Sequence, residues 1–502
     1  MTNSFLRKKS LELLQRESEE SSLKRSLGVF DLTMLGIGAI IGTGIFVLTG
    51  EAAAGTEHAL GAGPALTVSF VITGLACLFA ALCYAEFASM IPISGSAYTY
   101  SYSSFGEIFA WIIGWDLILE YAVGNVAVAI GWSGYFKNLL DGFGLHLPGY
   151  LSAATGTDMV QLPSGMWTAI TPAVQETYAD TFATLPTETA LINLPAFLIT
   201  VVISALLYIG IQESARVNAV LVLIKLALVS LFLFYGIPHF APETYWEPFA
   251  PNGWQGIMTG AALVFFAYVG FDAVSTTSEE AKNPQRDLPL AMIGALIICT
   301  LLYIAVAAVL TGMVPLGILA NEKPVAEALI AVGEDRVALL IAMGVTLTMP
   351  TVLLVMQLGQ IRILYAMSRD GLLSPRLSEV HHRFLTPSFA TVIVGLFVAI
   401  LAGTIDISVA AELTNIGTLF AFVLVAIGIW ILRVRRPDAT RKFRAPAYRV
   451  VCSLCILICL GLMVALPLVT WIRFLMWMGL GLLVYFMYGI RKSKLNRPED
   501  LV

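Results

Sequence analysis

Apolar residues gather into twelve runs, each close to the roughly 20 residues that cross a bilayer core as a helix. They lie at about 32–54, 64–88, 108–131, 191–211, 216–237, 256–277, 289–312, 337–366, 388–404, 409–432, 450–470 and 473–490. The pattern predicts an all-α integral membrane protein of twelve transmembrane helices. Segment 1–30 precedes them. A first set of five spans fills 31–237, with a long loop at 132–190, and a second set fills 256–432. A basic loop at 433–449 leads to two further helices over 450–490 and a tail at 491–502.

Two runs are interrupted. Gly36, Gly38, Gly42 and Gly44 fall within nine residues of the first. Glycine orders at a high entropic cost and contributes no side chain, so this is a poor way to build a continuous helix. Close packing through Gly38-xxx-Gly42 is one reading. A helix broken near Gly42-Thr43-Gly44 is the other. A break inside a bilayer leaves main-chain groups free and is tolerated only where they line a cavity. The sixth run repeats the feature: Gly270 stands beside Asp272 near its middle. The two interruptions are five spans apart. That spacing is the mark of two five-helix repeats, each opening on a discontinuous helix. Five is odd, so the repeats are expected to be inverted.

Charge sets the orientation. Of 29 Lys and Arg, 24 fall on the side shared by both termini, four (Lys137, Lys323, Arg336, Arg473) on the other, and Lys225 within a span. The positive-inside rule therefore puts both termini in the cytoplasm. Only 13% of the chain is charged and 58% is hydrophobic, far from the roughly 25% charge of a soluble domain. The N-terminal FLRKKSLELLQRESEESSLKR is too polar for a cleavable signal peptide. Loop 132–190 is expected to hold no independent domain, and either covers the outer face or is partly disordered. All six cysteines sit in apolar runs. Cys452-x-x-Cys455 has no accompanying His or second pair, so it reads as lipid-side or packing cysteine and not as a zinc site.

Lys225 lies within about two residues, or ~3 Å, of the middle of its run. A lysine there costs about 2.5–3.5 kcal/mol on insertion scales and is functional by default. It either carries a proton or stays charged and pins the first break through its carbonyls. Asp116 and Glu120 share a helix face in the third span, four residues apart. Glu120 either meets a substrate side chain or Lys225, or is protonated and structural. Asp272 is expected to cap or pair near the second break. Glu86, Glu279, Glu280, Arg286, Asp287, Arg369 and Asp370 are expected either to pair across an inner gate or to form a solvated loop. Arg433 to Arg449 reads as a topology anchor touching anionic lipid.

The segments GIGAIIGTGIFVLTG (36–50), CYAEFASMIPISGSAYTYSYSSFGE (83–107), FFAYVGFDAVSTTSEEAKNPQRDLP (265–289), YAMSRDGLL (365–373) and FRAP (443–446) resemble the amino acid–polyamine–organocation superfamily, in its cationic amino acid transporter-like branch. The resemblance spans all twelve runs and implies a LeuT-like inverted repeat with two added helices. A free amino acid, small and neutral or cationic, then binds at the midplane. Its carboxylate meets the amides of Thr43, Gly44 and Ile45, at the positive end of the helix after the break. Its ammonium meets carbonyls near Ile40, Ile41, Phe266 and Ala267. Its side chain faces Val269, Phe271, Glu120 and, on the eighth span, Thr346, Thr348 and Met349. Phe265 is expected to pack. Relatives driven by sodium hold the ion between spans 1 and 8, and proton-coupled ones place a lysine there, which Lys225 matches in position.

No HExxH, GxSxG or Walker pattern is present. The chain is thus expected to be no enzyme and to need no cofactor, metal or ATP. Nucleic-acid binding is excluded for a basic loop lying between spans. The expected activity is secondary amino acid transport across the cell membrane by proton symport. An amino acid exchanger and a membrane sensor without flux are the alternatives.

Overall fold

The structure, a computed structural model, describes residues 26–496 except 57–58, 91–95, 172–173, 176–177, 211–214 and 322. Helices occupy every one of the expected runs. They are α1 (Val29–Ile40), α2 (Thr49–Ala54), α3 (Leu66–Met90), α4 (Ser96–Ser104), α5 (Glu107–Gly142), α6 (Leu194–Ile209), α7 (Ala215–Gly236), α8 (Gly253–Val264) and α9 (Pro284–Met313). The second part holds α10 (Pro324–Ala331), α11 (Asp335–Thr348), α12 (Pro350–Arg369), α13 (Ser388–Thr404), α14 (Ile407–Arg435), α15 (Tyr448–Ala465) and α16 (Leu468–Val484). Among the described residues, nine helical stretches are long and apolar enough to cross a bilayer; α6 and α13 are shorter apolar helices. This is an all-helical, multi-span membrane protein.

Several lengths differ from the expected runs, each for a local reason. α5 continues to Gly142, well past 131, because Lys137, Asn138 and Asp141 end the apolar pattern without breaking the helix. α6 stops at Gly210, whose φ of +83° suits only a residue without Cβ. Its start is fixed by Asn193, which accepts from the Ala196 amide. Pro350 opens α12 directly after α11, so the eighth run is helical from Asp335 to Arg369.

Burial sorts the helices. In the stretch Val29–Ala54, 89% of the most apolar window is buried, against 22% in Leu468–Lys492. The broken first run is therefore at the centre and α16 at the lipid-facing rim. Leu301, Leu347, Val464 and Met487 are among the large exposed apolar side chains, which a hydrocarbon solvent accepts. The cysteines are buried and free, with Cys83 and Cys452 Sγ atoms 3.9 Å apart between α3 and α15. They are packing residues; the lipid-side alternative fails on their burial.

The loop after α5 corrects the purely helical expectation. It carries a three-stranded antiparallel sheet, with β1 (Asp158–Gln161) central between β2 (Trp167–Ala169) and β3 (Thr187–Thr189). Ala153, Met159 and Ala190 form a small core under Trp167. The Thr155 amide donates to the Thr404 carbonyl and the Asn193 amide to that of Gly403, so the loop is tied over the end of α13.

At the opposite face, the acid at the end of α3 has partners other than those expected. Glu86 accepts from Arg433 Nε and Nη2, both at 2.7 Å, from Arg441 Nε at 3.1 Å and from the Ala445 amide at 2.9 Å. Arg433 and Arg441 thus serve a buried cluster and are not lipid contacts. Burial lowers the Arg441 guanidinium from its ordinary value, and Glu86 opposes that. Of the other residues expected at an inner gate, Glu280 meets Arg362 at 3.5 Å. Asp287 accepts from the Asn283 amide and Asp370 from Tyr98. The side chain of Glu279 lies outside the described residues. Glu86→Ala leaves two guanidinium groups without their counter-charge, a loss that costs about 3–5 kcal/mol in buried pairs. The expected outcome is an unfolding temperature several degrees lower in detergent; an unchanged melting curve would show that the cluster adds nothing to stability.

Candidate functional site

The first break lies at Ile41–Gly42, at the N-terminal edge of the expected Gly42-Thr43-Gly44. α1 ends at Ile40, Ile41 is extended (φ −75°, ψ 103°), and helical structure resumes at Thr43. The stretch Gly44–Leu48 is π-helical and runs into α2. The second break falls at Val269, which is extended, and Gly270, whose φ is +108°. Only glycine takes that φ without strain. The Gly-beside-acid signal therefore located this break correctly.

The two breaks cross in contact. A Cβ on Gly44 would stand 2.2 Å from the Ala267 Cα. No side chain fits there, so Gly44 is a close-approach glycine. By contrast, a Cβ on Gly42 would sit 3.4 Å from Val352 Cγ2, an ordinary contact. Packing and breakage are both realised in this motif, at different glycines: Gly38 faces Val222 of α7, where a Cβ would come within 2.7 Å.

Each break exposes carbonyls that the interrupted helix cannot satisfy, and buried side chains come to them. Lys225 Nζ donates to the Gly38 carbonyl at 2.8 Å. Tyr303 of α9 places its hydroxyl 2.8 Å from the Ile40 carbonyl and 3.1 Å from that of Ala267. Asn415 of α14 donates to the Ala262 and Leu263 carbonyls at 2.7 and 3.1 Å. The Phe266 carbonyl accepts from the Val269 amide. Of the four carbonyls expected to serve an ammonium group, two thus share one hydroxyl proton and a third has a main-chain donor.

The amides of Thr43, Gly44 and Ile45 stand at the start of the resumed helix, as expected. Thr43 Oγ1 is buried with no hydrogen-bond partner among the described residues. It lies against α5: a Cβ on Gly131 would be 3.0 Å from that oxygen. An unpaired hydroxyl in a site without water costs about 1–3 kcal/mol, which a ligand accepting or donating there removes. Ile40, Ile41, Ile45, Phe266, Ala267, Val269 and Met349 are all buried. Phe265 packs edge-on against Phe422, as expected. Thr346 and Thr348 turn their hydroxyls to carbonyls one turn back in α11.

Lys225 is 1% exposed and α7 packs against both α1 and α11. Glu120 lies with Asp116 beside Gly417 of α14. Asp272 accepts from the Tyr121 hydroxyl at 3.1 Å. Neither oxygen of Asp116 has a partner among the described residues. Tyr303, Asn415 and Gly131 were not singled out from sequence. Tyr303 had only one faint signal, a hydroxyl-bearing ring amid a uniformly apolar run.

Residues 27–487 match a family model described as amino acid permease. The chain is 48% identical over 499 residues to the branched-chain amino acid permease BcaP of Bacillus subtilis, covering 99% of this chain and 100% of that one. It is 46% identical over 495 residues to the methylthioribose transporter of the same organism, again covering 99% and 100%. Human cationic amino acid transporter 4 is 35% identical over 432 residues, covering 85% of this chain and 62% of that one.

Proposed function

This chain belongs to the amino acid permease family and is a multi-pass membrane transporter, and from that premise we propose that it moves a neutral, branched-chain amino acid across the cell membrane by proton symport. The observation that carries the proposal is the crossing of the two breaks, with Gly44 against Ala267. Amides after the first break suit a carboxylate. Carbonyls of Ile40 and Ala267, half-served by Tyr303, suit an ammonium. The rest of the lining (Ile41, Ile45, Phe266, Val269, Met349) suits an aliphatic side chain.

A cationic substrate would need an acid facing that lining. Glu120 is the candidate, but it packs with Asp116 beside Gly417 of α14, which favours a structural role. The full-length similarity to a branched-chain permease supports the same choice.

The topology in this reading is twelve spans as two inverted sets of five, plus α15 and α16, with both termini cytoplasmic. Two contacts support it. Leu27, before the first span, pairs with Ala281, after the sixth, while Gly44 meets Ala267 midway. The two broken spans would therefore run antiparallel, as the four spans between them require. All lining residues are buried, so substrate reaches them only when helices move, which is the condition for alternating access.

The test is uptake of labelled leucine, alanine, arginine and methylthioribose into proteoliposomes, with and without an inward proton gradient. Gradient-dependent leucine accumulation is the expected result. Arginine accumulation without leucine would reverse the substrate assignment, and methylthioribose uptake alone would remove the amino acid reading. Leucine uptake that needs preloaded amino acid and ignores the gradient would indicate exchange; binding without flux would indicate a sensor.

A further inference from the structure

The end of the last span forms a cavity with the turn that follows α12. Its volume is about 280 Å³, and Arg369, Lys492 and Lys494 line it with the hydroxyl-bearing Ser368, Ser378 and Tyr488. Among the described residues no carboxylate lines it, and none of the three cations has an ion-pair partner. The two nearby acids are engaged elsewhere: Asp370 accepts from Tyr98, and Glu107 from Tyr102, Tyr485 and Ser493. Three like charges held around one hollow repel each other, and an anion relieves this.

The walls are built by specific main-chain contacts. Gly371, at φ +80°, comes so close to the Lys492 carbonyl that a Cβ would stand 2.5 Å from it. The Lys494 amide donates to the Asp370 carbonyl at 3.1 Å. The C-terminal segment is thereby fastened to the turn after α12, and the three cations are fixed on opposite walls.

The cavity also sits at a boundary. Phe486 and Met487 are 48% and 65% exposed, as lipid-facing side chains are. Lys492 follows five residues later, about 7 Å along a helix axis. Apolar contact thus gives way to positive charge over the depth at which phospholipid headgroups lie. We propose that this cavity binds the phosphate group of an anionic phospholipid, with Arg369, Lys492 and Lys494 meeting the phosphate oxygens. The acyl chains would run along the face of Phe486 and Met487. Arginine and lysine are the usual donors to phosphate, and the small volume suits a headgroup better than a drug-sized ligand. The inference is independent of which substrate the protein carries.

The experiment uses full-length protein, delipidated in neutral detergent, with binding followed by its thermal shift. Phosphatidylglycerol is titrated against phosphatidylcholine and against inorganic phosphate. The expected result is a saturable shift with phosphatidylglycerol, absent with phosphatidylcholine and weakened by salt. The triple variant R369Q/K492Q/K494Q is expected to bind phosphatidylglycerol on the order of a hundredfold more weakly, since each Lys or Arg at an anionic surface is worth about fivefold. The variant R216Q/K282Q/R383Q removes as much charge from exposed positions outside the cavity and is expected to bind as the parent does. Equal weakening in both variants, or no weakening in the first, would overturn the site. An equal shift from inorganic phosphate at the same concentration would overturn the lipid as its source.

Discussion

Lys225→Met is expected to abolish substrate accumulation driven by a proton gradient while leaving specific binding measurable. One pH unit is worth about 1.4 kcal/mol, or tenfold in concentration. Parent protein under a one-unit inward gradient should therefore concentrate substrate up to about tenfold, and the variant should stop at equal concentrations. Two physical roles predict this loss, and a second substitution separates them. The Nζ–Gly38 hydrogen bond ties α7 to the last turn of α1, so methionine removes a pin as well as a titratable group. Lys225→Gln keeps an N–H donor but cannot gain or lose a proton. If Lys225 only pins the break, glutamine restores much of the accumulation. If it couples protons, glutamine fails as methionine does, yet exchange across the membrane persists. Accumulation by either variant at the parent level would end the coupling assignment.

Gly44→Val is expected to eliminate uptake. Its Cβ would fall 2.2 Å from the Ala267 Cα, a clash with main chain that no rotamer relieves. Overpacking a tight interior costs about 1–3 kcal/mol and sometimes more, and here the strain falls on the amides proposed to meet the carboxylate. Gly42→Ala provides the contrast. Its Cβ would make an ordinary 3.4 Å contact with Val352, so uptake should stay within a few-fold of the parent. Initial rates in proteoliposomes, with detergent melting curves to check folding, decide the matter. Equal behaviour of the two variants would contradict the crossing of the breaks.

The twelve runs and the second break could be read from sequence because each rests on a local rule: hydropathy over a bilayer's thickness, and glycine at positive φ next to an acid. The first break falls at the N-terminal edge of its glycine cluster, because the run also spends a glycine on packing: the last turn of α1 sets Gly38 against Val222. Partners were mostly illegible. Glu86 and Arg433 are 347 residues apart, and nothing in the local pattern prefers Arg433 over Arg286 or Arg369. Tyr303 and Asn415 act through their position across a gap, and their own segments read as plain span. The strands over loop 158–189 are three or four residues long, too short for an alternating pattern to register. Glu120 had the right depth for a substrate contact, but depth alone does not give the rotation of α5 about its axis, and so the sequence did not show that Gly417 of α14 lies beside it.

The Tyr303 hydroxyl carries a single hydrogen and stands within reach of two main-chain oxygens, those of Ile40 and Ala267. At any instant one of them has a full bond and the other is under-coordinated. In the proposed binding mode an arriving ammonium would donate to one of these oxygens, and the hydroxyl could settle on the other without leaving either bare. The phenol would then work as a placeholder valence. It would keep the empty carrier intact between cycles and make loading and unloading a substitution among donors, with no bond left unmade at either end.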